Sequence, residues 1–223
     1  PRESRDLAWG AAAGLSGLVG LGMLYRGLAT GAAAIVSPTA ALVGTAAPIL
    51  AGVLMGEAPT PVGWSGIALA LPAILLLSLT RRASERIDHR SLALGVLAGI
   101  GFGGYFILID RTGEASGFWP LVAARVISIP VIVIIARASR RSLLLERHSR
   151  QPAVIAGVLD MTANVFFLIA TRIGLLVTSA VISSLYPAPT VVLARAFDHQ
   201  TLGVRRWTGL ALALVGLSLM AVG

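Results

Sequence analysis

Three polar side chains stand inside otherwise apolar stretches of the sequence, and their chemistry suits a charged ligand. Asp160 falls halfway along the apolar stretch 153–170, and Asn164 follows it by one helical turn, on the same helix face. Arg125 lies well inside the stretch 119–136. A carboxylate within a membrane costs several kcal/mol unless it is paired, hydrated or protonated. These residues are therefore the first candidates for a site that binds a substrate or a proton.

Each of these residues also has a purely structural interpretation. Groups on neighbouring helices would satisfy Asp160 without any ligand. Arg125 would neutralise Asp160, hold a substrate carboxylate, or extend its guanidinium to the membrane interface. The sequence leaves these alternatives open.

Prolines predict which helices surround the site. A proline within a membrane-spanning helix frees a backbone carbonyl, which is tolerated only against protein or a wet cavity. Pro38 and Pro48 share one apolar stretch, and Pro187 and Pro189 share another. We expect both helices to form cavity walls, with Pro48 and Pro187 in the binding site. A packing kink is the alternative for both helices.

Three tyrosines complete the predicted binding site. Tyr186 precedes Pro187, and Tyr25 and Tyr105 lie near the ends of other apolar stretches. All three are predicted to line the cavity. Their alternative role is anchoring at the membrane interface, where Tyr and Trp are enriched.

The elements that must position these residues are membrane-spanning helices. Apolar residues make up 56% of the chain and charged residues 13%, against roughly a quarter charged in a soluble domain. A spanning helix needs about 20 apolar residues. The sequence predicts an all-α, polytopic membrane bundle of eight spans, over residues 7–25, 32–55, 64–79, 92–109, 119–136, 153–170, 175–197 and 207–222.

The sequence also repeats itself. A shift of 143 positions places residues 13–76 on residues 156–219 without a gap, and Trp64-x-Gly66 falls on Trp207-x-Gly209. The spans in 91–150 have no counterpart in the first half, so their partners are expected upstream of Pro1, in a chain truncated at its N-terminus. The complete molecule is predicted to have ten spans in an inverted repeat of two five-helix halves around a central site. The predicted divisions are residues 1–80 (last three helices of the first half), 81–90 (a basic connection) and 91–223 (the second half).

The basic residues are signals of topology. All 18 are Arg, and 13 of them fall at one membrane face, in the connections around residues 81–90 and 137–150 and at nearby span ends. Positive charge marks the cytoplasmic side, so anionic lipids are the expected partners of these loops. Nucleic-acid binding is not expected, because no aromatic stacking pattern accompanies the Arg residues.

Several chemistries are excluded or disfavoured. The chain has no Cys, and His89, His148 and His199 are not spaced to share a metal. Without Lys there is no phosphate-binding loop for ATP. We expect no cofactor, no metal and no catalytic residue. An intramembrane enzyme that acts on a lipid or peptide, and a scaffold or sensor that transports nothing, stay as alternatives.

The chain resembles an EamA-type member of the drug/metabolite transporter superfamily. The resemblance lies in a Pro-containing helix, a short acidic or polar turn, and Trp-x-Gly before a last apolar helix. The turn holds Glu57 in the first half and Gln200 in the second, so an acidic role there is not general.

The resemblance implies a secondary-active transporter in the bacterial inner (plasma) membrane. It would export small organic metabolites, such as amino acids or drug-like compounds, by alternating access to a central cavity. Asp160 would be the coupling group if a proton drives transport. A homodimer is one option for its assembly.

Overall fold

The computed structural model describes residues 2–79, 88–140, 146–197 and 203–222. Within these ranges the regular structure is helical, with no strand. The helices are α1 (Arg2–Ala29), α2 (Ala33–Leu54), α3 (Pro61–Ser78), α4 (His89–Asp110), α5 (Trp119–Ala138), α6 (Arg147–Ile173), α7 (Leu176–Ser184), α8 (Pro187–Phe197) and α9 (Val204–Val222), with a 3₁₀ turn at Glu114–Ser116 between α4 and α5.

The described part of the chain has eight helical segments that are long and apolar enough to cross a membrane. Helices α7 and α8 share one of these spans, Leu176–Leu193. This confirms the predicted all-α, polytopic bundle of eight spans. Most of the predicted connection 81–90 lies outside the described residues, as do Gln200 and His199. The division of the chain into two halves at that connection stays a prediction.

Local sequence signals explain where the helices in the first half begin and end. Thr60 caps α3, because its Oγ1 accepts a hydrogen bond from the Gly63 N–H at 3.0 Å. After α2, Gly56 has a φ of +92°, which favours glycine. The Glu57 N–H then donates to the Gly52 carbonyl at 2.9 Å, which completes a Schellman motif. This turn folds the Glu57 carboxylate back over α2, where its Oε2 lies 2.7 Å from the position of a Cβ on Gly52.

Helix α1 crosses α5 at closely approaching backbones. A Cβ on Gly10 would lie 2.2 Å from the Pro120 carbonyl oxygen, and one on Gly14 would lie 2.3 Å from the Ala124 oxygen. Only glycine permits this contact, because any Cβ would overlap the facing backbone. Small residues four apart are typical of such crossings in membranes, and here they place Arg125 beside α1.

Helix α4 crosses α2 in the same manner. Gly95, Gly99 and Gly103 follow one face of α4, and a Cβ on any of them would lie within 2.7 Å of an α2 side chain. Gly52 and Gly56, which have the same spacing, do not form a second such stripe. Gly56 belongs to the turn after α2, with nothing within 4 Å of its Cβ position.

Helices α3 and α9 pack against each other through contacts that are equivalent under the repeat. Gly66 on α3 faces Met220 on α9, and Gly209 on α9 faces Leu77 on α3. Under the 143-residue shift, Gly66 corresponds to Gly209 and Leu77 corresponds to Met220. The two contacts are therefore equivalent. A two-fold relation between the duplicated segments produces this equivalence, and an antiparallel pairing of α3 with α9 follows from it.

Arg172, at the end of α6, ties that helix to the connection between α4 and α5. Its Nη2 donates to the Gly117 carbonyl at 2.6 Å and to the Gly113 carbonyl at 3.2 Å. Both carbonyls belong to the connection, and the Gly113 carbonyl also accepts hydrogen bonds from the N–H and the hydroxyl of Ser116. Arg172 therefore fixes the start of α5, the helix that carries Arg125.

We expect Arg172→Gln to lower the free energy of unfolding by about 1–2 kcal/mol, because glutamine is too short to reach both carbonyls and the bonds are charge-assisted. Thermal unfolding of the purified protein in detergent measures the change. The exposed Arg111, at the same end of the bundle, supplies the control Arg111→Gln. Equal effects of the two substitutions would contradict the assigned role of Arg172.

Candidate functional site

One cavity of about 460 Å³ lies between six helices of the bundle. Its volume falls within the range of about 300–1,000 Å³ that is usual for small-molecule sites. The residues that line it come from α1, α2, α4, α5, α6 and the end of α7: Gly14, Gly17, Leu18, Leu21, Leu24, Ala40, Ala41, Gly44, Phe102, Tyr105, Phe106, Ala124, Arg125, Ser128, Ile132, Asp160, Asn164, Ser183, Ser184 and Tyr186.

An ion pair stands in the wall of this cavity. Nη2 of Arg125 on α5 donates to Oδ2 of Asp160 on α6. The side chain of Arg125 is 38% exposed and that of Asp160 is 58% exposed. The pair is therefore formed and still reachable, so a ligand with charges of its own can compete for either partner. Of the alternatives for Arg125, the structure shows neutralisation of Asp160.

Asn164 lies one turn after Asp160 and also lines the cavity. Its side-chain N–H donates to the backbone carbonyl of Asp160 at 2.7 Å. That bond holds the amide against its own helix, and it leaves the amide oxygen as an acceptor. Asp160 and Asn164 thus share one face of α6, as their spacing predicts.

Aromatic rings cover the side of the cavity formed by α4. The Tyr105 ring lies over Gly17 of α1, 3.2 Å from where a Cβ would be. Phe106 stacks at a tilt on Phe167, with ring centroids 4.4 Å apart. Phe102 also lines the cavity. Tyr105 is thus brought together with Arg125 and Asp160.

Helix α7 ends beside the cavity, and the helical conformation is interrupted there before α8 begins at Pro187. Ser183 and Ser184, just before the break, line the cavity, together with Tyr186. Sequence analysis did not single out the two serines. A pair of hydroxyls directly before Tyr-Pro in an apolar span was the available signal. The equivalent helix α2 runs through Pro38 and Pro48 without interruption.

Three of the predicted site residues lie outside the cavity lining. Pro48 is fully buried and packs near Gly103, whose Cβ position is 3.3 Å from the Pro48 Cδ. Pro187 is the first residue of α8. Tyr25 is 64% exposed near the end of α1. Asp160, Asn164, Arg125, Tyr105 and Tyr186 are the predicted residues that the structure brings together, and both proline-containing spans contribute walls.

Glu57 lies outside the cavity and joins two helices. Its Oε1 accepts the Leu176 N–H at 2.8 Å, and its Oε2 accepts the Val177 N–H at 2.9 Å. These are free amides at the N-terminus of α7, where a negative charge is favoured. Glu57 therefore caps the N-terminus of α7.

Family comparison identifies the bundle that holds this cavity. The model of the EamA-like transporter family matches residues 89–222, which include α4 to α9. The chain belongs to the EamA-like transporter family. This EamA-like chain is therefore an integral membrane protein and a transporter of the drug/metabolite transporter superfamily, which are the parts of the sequence-based prediction that the match confirms. A transporter family also makes an enzyme the less favoured interpretation.

Comparison with solved structures agrees on the fold. A protein described only as "Crystal structure of protein" matches with a TM-score of 0.63 over 99% of this EamA-like chain and 86% of its own, at 16% sequence identity. At that identity the likeness concerns the fold alone. No relative among curated proteins matches the chain.

Proposed function

We propose that this EamA-like protein is a secondary-active transporter that exports a small organic metabolite across the bacterial inner membrane by alternating access to the cavity. The observation that carries the proposal is the reachable Arg125–Asp160 pair in the wall of a cavity between the two halves of the repeat. Secondary transporters with internal repeats bind their substrates at such interfaces.

Asp160 is the proposed coupling group. It is a carboxylate within the span Arg147–Ile173, and its charge is compensated by one neighbour, Arg125. A proton that reaches Asp160 releases Arg125 and opens the pair. Loss of the proton restores the pair, so binding of the proton and the arrangement of α5 against α6 become linked.

The test is transport by the purified protein in proteoliposomes, with a panel of amino acids and hydrophobic cations, with and without an imposed proton gradient. We expect saturable flux that the gradient accelerates. Asp160→Asn should remove the acceleration and reduce gradient-driven flux by at least about tenfold, the effect of one lost charge-assisted hydrogen bond.

Asp110→Asn is the matched control, because Asp110 ends the span of α4 and does not line the cavity. It should retain the gradient response. If Asp160→Asn also retains it, Asp160 is not the coupling group. Absence of flux for every compound in the panel would overturn the proposal in favour of a scaffold or sensor. The Arg-rich face is proposed to be cytoplasmic, and the homodimer stays a prediction.

A further inference from the structure

The two halves of the repeat contribute unlike walls to the cavity. The 143-residue shift superimposes four pairs of positions in which both members line the cavity. We name the members from the first half the apolar wall: Gly17, Leu21, Ala40 and Ala41. We name their equivalents in the second half the polar wall: Asp160, Asn164, Ser183 and Ser184.

The remaining lining residues follow the same division between an apolar first half and a second half that carries the polar groups. The others from α1 and α2 are again glycine or leucine: Gly14, Leu18, Leu24 and Gly44. The other polar lining groups are all on α4, α5 or the turn after α7: Tyr105, Arg125, Ser128 and Tyr186. Every polar side chain in the lining thus comes from the part of the chain after residue 88. A ligand thus meets hydrogen-bonding groups from the second half of the repeat and only hydrocarbon from the first half.

The charge of the cavity restricts its ligand further. Arg125 and Asp160 are the charged residues among those that line it, and they compensate one another. A ligand with a net charge would leave one charge without a partner, which is costly away from water. A ligand that carries both an ammonium and a carboxylate exchanges one ion pair for two and leaves no charge unpaired.

From this juxtaposition we infer that the site takes a zwitterionic amphipath: a small molecule whose carboxylate binds Arg125, whose ammonium binds Asp160, and whose apolar group lies on the apolar wall. The inference rests on the proposed function and specifies the substrate class. The duplicated positions therefore have divided roles. The second half binds the charged head, and the first half selects the apolar body.

Calorimetric titration of the purified protein with four probes tests the inference. L-Leucine has both charges and an apolar group, its methyl ester lacks the carboxylate, N-acetyl-L-leucine lacks the ammonium, and glycine lacks the apolar group. We expect leucine to bind at least about tenfold more tightly than each of the other three, because each lacks one charged contact or one apolar contact. Tighter binding of the ester or of the N-acetyl compound would overturn the inference.

Two variants test which residue binds the carboxylate of the ligand and which binds its ammonium. Arg125→Gln should abolish the preference for leucine over its methyl ester and retain the preference over N-acetyl-leucine. Asp160→Asn should show the reverse pattern. A merely structural role for the ion pair would weaken all probes by one factor in both variants, and this outcome would count against the assigned orientation.

A third variant tests the apolar wall. Leu21→Asn gives the first half the side chain that its equivalent, Asn164, has in the second. It should reduce the preference for leucine over glycine about tenfold or more. Leu15→Asn is the control, because Leu15 lies on the same helix with a similar exposure, 44% against 40%, and does not line the cavity. Equal loss of preference in both variants would contradict a selective wall.

Failure of this inference differs from failure of the proposed function. Saturable flux of a net cation or net anion, with no flux of leucine, would keep the transporter and reject the zwitterion. Selective leucine binding with no flux in proteoliposomes would keep the site and reject transport.

Discussion

Replacing Gly14 by Ala lowers the free energy of unfolding by about 2–3 kcal/mol, the expected cost of overpacking at a close contact. The added Cβ would lie 2.3 Å from the Ala124 carbonyl oxygen and 2.7 Å from the Ala124 Cα. Both are backbone atoms, so no side chain can rotate away, and α1 and α5 have to separate. Arg125 follows Ala124 directly, so the same change displaces the ion pair from the cavity wall.

The repeat supplies the control for this experiment. Gly157 on α6 is the equivalent of Gly14, and nothing lies within 4 Å of its Cβ position. Gly157→Ala should leave stability unchanged or raise it by up to about 1 kcal/mol, because alanine favours the helix. Thermal unfolding of both variants in the same detergent decides the question. If the two variants lose equal stability, the close α1–α5 crossing is not a feature of the folded protein.

Replacing Glu57 by Ala should lower the free energy of unfolding by about 2 kcal/mol. The carboxylate accepts two backbone amides at the start of α7, and alanine leaves both without that acceptor. Residues of α7 belong to both apolar clusters of the bundle, Val181 to one and Ala180 to the other. Loosening the N-terminus of this helix therefore affects two packing regions. Glu57→Gln keeps an oxygen acceptor and should lose about half as much.

Glu146 provides the comparison for Glu57. It also precedes a helix, as the N-cap residue of α6, but it makes no capping hydrogen bond with its side chain. Its side chain is 81% exposed. Glu146→Ala should change the free energy of unfolding by less than about 0.5 kcal/mol, as is usual for surface substitutions. A loss for Glu57→Ala no larger than this would falsify the two-amide cap.

Part of the candidate site was predictable from the sequence because buried charge is rare in a membrane. Asp160 and Asn164 were identified by their depth and spacing alone, and the structure places both in the cavity lining. Arg125 was assigned three alternatives because helix periodicity does not indicate which neighbour a side chain meets. The structure shows the Asp160 partnership, which depends on the α1–α5 crossing and on the packing of α6.

The roles of Pro48 and Pro187 could not be assigned from the sequence, because a proline in an apolar span either interrupts the helix or stays inside it. Pro187 coincides with a break between α7 and α8, whereas Pro48 stays inside a continuous and tightly packed α2. Ser183 and Ser184 line the cavity, as their equivalents Ala40 and Ala41 do on the uninterrupted α2. Hydroxyls in an apolar span have no unique role in sequence alone.

The sequence by itself determined the number of spans, the duplication and the presence of one carboxylate deep in a span, because length, hydropathy and repeat register are properties of the linear chain. Only the tertiary structure decided that Asp160 meets Arg125, that Glu57 caps α7, and that the polar wall and the apolar wall face one cavity. Those relations depend on which helices approach within contact distance. That approach is fixed by glycine contacts between distant segments, such as Gly14 with Ala124 and Gly99 with Val43.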